Sequence, residues 1–160
     1  MASISLNLNL APSSYGSTAY SAGSDVSGYT SADIAALTVK QVGSLTTTQV
    51  LALDASAFAG FSTAQVPALS AASLSVLSTA QFTALSNDQL GSLLSNQLKS
   101  ISTANIASLS TSQITAIKGT QITGLTTQQV QALTTSQIQA VTTSAIQAMS
   151  IDQILSLIHI

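Results

Sequence analysis

From Tyr29 to Ser156 the sequence returns to one pattern every eight residues, and no step is skipped. The first position is large and apolar throughout, running Tyr29, Leu37, Leu45, Leu53, Phe61 and onward to Met149, with Leu157 opening the next interval. The sixth is equally constant, from Ile34, Val42, Val50 and Phe58 to Ile154. The eighth is Ala, Ser or Gly, from Ala36 through Gly60 and Gly124 to Ser156, with Val76 as the exception. Sixteen octads thus occupy 128 residues. A period of eight cannot belong to one continuous amphipathic helix, because at 3.6 residues per turn the apolar face would rotate by about 80° per octad. The chain must break and restart each time.

The break is written at the second position. It is mostly Thr or Ser, as at Thr38, Thr46, Ser62, Ser110, Thr126, Thr134 and Thr142, and once Asp, at Asp54. Gln often follows three residues later, at Gln41, Gln49, Gln65, Gln113, Gln129 and Gln137. This is the spacing of a capping box, in which the hydroxyl accepts from the N3 amide while the Gln side chain returns to the N-cap amide. With the second position as N-cap, the apolar first and sixth positions become N′ and N4, the two halves of a hydrophobic staple. Each octad therefore predicts one short helix, about six residues long, and the turn that starts the next. Pro67 removes an amide from one such helix. Leu94 and the pair Lys118 and Gly119 interrupt the cap pattern, so those octads are expected to be looser. A β-solenoid is the rival reading, since Thr and Ile favour strands. Alternation fails between positions six, eight and one, however, and Gly and Asp are too few to turn every coil.

One octad offers two large aliphatic side chains, worth roughly 1.5–3 kcal/mol each when buried, against about 1–2 kcal/mol for each ordered backbone unit. No octad can fold alone, so neighbours must cover one another, and the small eighth residue lets backbones approach. The expected fold is mainly α, a solenoid with a narrow aliphatic core and a coat of Ser, Thr and Gln. Residues 29–156 form this array. Residues 1–28 precede it as a different kind of segment: Ile4, Leu6, Leu8 and Leu10 alternate with Ser5, Asn7 and Asn9, a period-two pattern that predicts an extended β segment. Pro12 ends it, and a Ser-, Gly- and Tyr-rich connector follows. Residues 157–160 add an apolar end.

Composition narrows the chemistry. Charged residues make up 5% of the chain, with three Lys, five Asp and one His, and there is no Arg, Glu, Cys or Trp. Bidentate anion clamps, thiol chemistry and thiolate metal sites are excluded. A net charge of −2 gives no footprint for nucleic acid. Mean hydropathy is +0.46, yet no run approaches the roughly 18–20 apolar residues of a membrane span. The first residues lack a basic region followed by an apolar one, so no secretory signal peptide is recognisable. His159 in an apolar tail reads as packing rather than as a catalytic base. Asp25, Asp33, Asp54, Asp88 and Asp152 fall in separate octads or the connector without ligand spacing, and read as caps and solvated positions. No enzymatic activity, cofactor or metal is expected.

The octad Leu-Thr-Thr-x-Gln-Ile-x-Ala, as at Leu125–Ala132 and Leu133–Ala140, resembles arrays in large repetitive bacterial surface and secreted adhesin-like proteins. Some of these are labelled haem-utilisation or adhesion proteins. The resemblance covers Tyr29 to Ser156, implies an extracellular structural or adhesive role, and carries over no catalytic residue. The lone His159 argues against a haem role. The expected function is a self-assembling extracellular structural protein, the subunit of a filament or surface matrix, whose partner is itself. The expected joint comprises Ile4, Leu6, Leu8 and Leu10, with Tyr15 and Tyr20 in the connector and Ile154, Leu157, Ile158 and Ile160 at the other end. The alternatives are a monomeric adhesin-like spacer and, from the hydroxyl pairs Thr126–Thr127, Thr134–Thr135 and Thr142–Thr143, an ice-binding surface.

Overall fold

The structure, a computed structural model, describes residues 25–159. Fifteen short α-helices occur among them: α1 (Ser31–Ala36), α2 (Val39–Gly43), α3 (Thr47–Ala52), α4 (Ala55–Phe58), α5 (Ala71–Ser75), α6 (Thr79–Thr83), α7 (Asn87–Leu90), α8 (Ser95–Ser100), α9 (Thr103–Ser108), α10 (Thr111–Thr115), α11 (Gly119–Ile122), α12 (Thr127–Gln131), α13 (Thr135–Ala140), α14 (Thr143–Ala148) and α15 (Ile151–Ser156). Every one begins on the third octad position, so the second is the N-cap throughout. The remaining octad holds Pro67 and narrows to a 3-10 turn, Val66–Ala68. A second 3-10 turn, Leu157–His159, closes the described chain. No strand occurs among the described residues, and the extended segment expected at Ile4 to Leu10 lies outside them.

The capping box explains why helices this short hold. At Thr126 the backbone is extended (φ −74°, ψ 158°). Its hydroxyl accepts from the Gln129 amide at 3.1 Å, while the Thr126 amide donates to Gln129 Oε1 at 2.8 Å. Two otherwise orphaned donors are satisfied in each such octad. Three expectations need correction. Asp54 sits at the N-cap of α4 but makes no side-chain cap bond. The octads of Leu94 and Lys118 lack a capping hydroxyl yet keep the reciprocal half, each N-cap amide donating at 2.8 Å to Gln97 or Gln121. α8 runs six residues and α11 four, the length also of α7 with its complete capping box.

Each helix packs on the one three octads further along, α1 on α4, α5 on α8 and α11 on α14 among others. Positions one and six fill the interior. Ile34, Phe58, Phe82 and Ile106 are fully buried, and the rings of Phe58 and Phe61 meet edge to face, 5.5 Å apart. Position eight permits the close approach of successive turns, most sharply at two glycines: a Cβ on Gly60 would lie 2.0 Å from the Ser31 carbonyl oxygen, and one on Gly124 2.2 Å from that of Ser95.

Candidate assembly surface

The side chain that joins one turn to the next is the Gln at position five. Expected in the polar coat, it is instead inside: Gln81, Gln97, Gln129 and Gln153 are all buried, while Gln128, Gln131 and Gln139 at neighbouring positions remain outside. The oxygen serves the cap of its own octad, and the amide nitrogen reaches back across the stack. Gln129 Nε2 donates to the carbonyls of Leu98 and Ile101 at 2.8 and 2.6 Å. Gln81 does the same to Val50 and Leu53 at 2.9 and 2.7 Å, and Gln153 to Ile122 and Leu125 at 2.9 and 2.7 Å. The separations are 31 and 28 residues in most clasps, and 30 and 28 for Gln113, so one superhelical turn takes between three and four octads. The acceptors are chiefly the carbonyls of positions six and one, with that of position seven taking the place of six for Gln113; the carbonyl of position one is reached every time. The position-one carbonyl lies at the break between helices, where no backbone amide reaches it among the described residues, and a buried carbonyl left unpaired there would cost free energy.

This double use explains the choice of residue. A capping box accepts Glu or Gln alike, but only an amide can also donate, and the chain contains no Glu. A carboxylate stands at position five once, in the first octad, where Asp33 accepts from the Thr30 amide at 2.9 Å and from its hydroxyl at 2.7 Å. Asn105 and Ser73 substitute with single bonds to Leu77 O at 2.8 Å and Leu45 O at 3.4 Å. Even the Pro67 octad keeps its clasp, Gln65 donating to the Ile34 carbonyl at 3.1 Å and to that of Leu37. No buried side-chain nitrogen or oxygen among the described residues lacks a partner.

The last turn differs. Among the described residues no side-chain donor reaches the position-one carbonyls of Leu133, Val141 and Met149, and the buried pattern of position six gives way to half-buried Ile138 and Ile146 and exposed Ile154. Positions three and seven lie outside along most of the rod, touching a following turn only locally, as where Ser95 Oγ donates to Thr120 O at 2.6 Å and Thr115 Oγ1 to Ala140 O at 3.3 Å. In the last octad those positions are Ile151, 78% exposed, and Leu155, 52% exposed. With Ile154 and Ile158 they form an apolar edge. Of the residues expected at a joint, Ile154 and Ile158 are exposed on this edge and Leu157 is half-buried beside them. Ile4, Leu6, Leu8, Leu10, Tyr15, Tyr20 and Ile160 lie outside the described residues. Ile151 and Leu155 escaped the sequence reading, although an aliphatic residue at two outward positions of one octad was the available signal.

The ionisable groups are dispersed. The Asp25 carboxylate accepts from the Ser27 amide at 2.9 Å, and hydrogen bonding to Ser27 lowers its pKa. Burial raises the Tyr29 phenol, helped by the negative charges of Asp33 and Asp25. Asp88 and Asp152 are exposed in the first turns of α7 and α15. An open hollow of about 330 Å³ lies beside Ser95, Lys99, Thr123 and Gly124, with Lys99 the single charged group in its lining. No helix among the described residues is long and apolar enough to cross a membrane.

The sequence profile of the ALTTAQ repeat family matches residues 58–95 and again 95–127. This is a repeat protein. The six-letter phrase corresponds to positions eight, one, two, three, four and five of the octad, as in Ala132 to Gln137, and ends on the clasping Gln. No curated protein and no solved structure is similar enough to match the chain.

Proposed function

We propose that the chain is a self-assembling structural protein, the subunit of a homopolymeric filament or surface matrix outside the cell. The observation that carries this reading is the edge formed by Ile151, Ile154, Leu155 and Ile158 at one end of a rod whose turns otherwise cover one another. An apolar face rimmed by polar residues is the usual mark of a contact surface, and a contact between unlike ends propagates when it does not close. Low charge supports the same reading, since 5% charged residues set up little repulsion between copies. A role without catalysis accords with the use of the buried amides and hydroxyls, which are spent on holding turns together. Negative-stain microscopy of the purified chain tests the proposal. Filaments or sheets are the expected outcome; a stable monomer at every concentration would overturn it in favour of a spacer or binding module.

A further inference from the structure

Resting on that reading, we infer that the joint between copies repeats the clasp that joins turns within one copy: the apolar edge of one chain receives the position-five amide of a second copy of the same chain. The receiving half is the last turn, with the position-one carbonyls of Leu133, Val141 and Met149 lacking a side-chain donor among the described residues, Ile154 exposed at the position that is buried from Ile34 to Val130, and the aliphatic Ile151 and Leu155 exposed beside it. The giving half is α2. Gln41 Oε1 accepts from the Thr38 amide and hydroxyl, each at 2.8 Å, but its Nε2 has no acceptor among the described residues. It is half-buried, whereas Gln65, Gln81, Gln89 and Gln97 are buried and donate backward. The occupant follows from continuity: along the rod from Gln65 onward, the surface presented by one turn is covered by another octad turn of this chain. Apolar contact would supply most of the association, and the amide would fix its orientation, because a buried carbonyl is satisfied only by a donor at the right place.

The test is sedimentation velocity on the full chain over a concentration series, with circular dichroism to verify folding. Gln41→Glu keeps the acceptor that caps α2 and removes the donor; it is expected to fold and to weaken association roughly tenfold or more. Ile154→Lys places a charge on the receiving edge and is expected to abolish association. Mixing the two variants should give discrete heterodimers, since the intact Gln41 of one meets the intact edge of the other and growth stops there. Association of Gln41→Glu equal to that of the unaltered chain, with Ile154→Lys still blocked, would overturn the clasp and leave the proposed function standing. Unchanged association of Ile154→Lys would show that the joint lies elsewhere. A monomeric unaltered chain would overturn both.

Discussion

The octads Leu125–Ala132 and Val141–Ala148 have the same outline and a different fifth residue. In the first, Gln129 is buried and ties its turn to Leu98 and Ile101. In the second, Ala145 is just as buried and makes no side-chain bond, yet α14 is a full six-residue helix capped by Thr142 and packs on α11. A second Ala octad, Leu53–Gly60 with Ala57, is also inside the core. Apolar packing of positions one and six, even half-buried as at Val141 and Ile146, therefore suffices to stack a turn, and the Gln adds direction and register. Apolar contact is tolerant of sliding, whereas two donors aimed at two carbonyls are not.

Five substitutions and one titration break or sharpen this contrast. Gln129→Glu should have the largest effect, a loss of about 3–5 kcal/mol, because it buries a charge against two carbonyls that need donors; Gln129→Ala should cost less, about 1–3 kcal/mol for the carbonyls left unpaired. Denaturant unfolding measures both, and equal costs would mean that the amide donor is not what position five supplies. Gly124→Ala should cost about 1–3 kcal/mol through overpacking, since the new Cβ meets the Ser95 backbone, while Ala132→Gly at the same octad position should change melting far less. Ala145→Gln should gain about 1 kcal/mol by satisfying the Ile117 carbonyl. A loss instead would show that this octad has closed up over α11, where a Cβ on Gly119 would already lie 3.0 Å from Ser144 O.

The smallest effect concerns pH. The clasps contain no ionisable group, so the melting temperature should be flat through the neutral range. Tyr29 has a folded pKa raised above 10.0, so its contribution is complete below that value and is lost as pH rises through the raised one. Asp25 has a folded pKa lowered from 3.8, so its contribution is present above that value and is lost as pH falls through the lowered one. Thermal melts across the pH range check all three statements, and a transition near neutrality would contradict them.

The short helices, their starts and the staple were legible because they depend on neighbours within one octad. Thr126, Gln129, Leu125 and Val130 announce their local roles by type and spacing alone. The reach of Gln129 to Leu98 and Ile101 was not legible, since nothing in a period of eight states how many octads complete a turn. A capping box already accounted for the Gln through its oxygen, so the nitrogen went unread, although the absence of Glu was a sign that the donor mattered. The same oversight made the Leu94 and Lys118 octads look weak: Gln97 and Gln121 need no hydroxyl partner to hold both their own start and the turn before. Pro67 was read correctly as a disturbance, and its result is a 3-10 turn that still carries Gln65 to its acceptors.

Because the Gln clasps span 28 to 31 residues, tension along the rod meets a series of near-identical fasteners rather than one lock. Releasing one turn frees roughly 100 Å of extended chain while the turns beyond it stay closed. Such a rod yields in small, repeated steps and can rewind from whatever turns remain, so it absorbs a pull by lengthening instead of snapping.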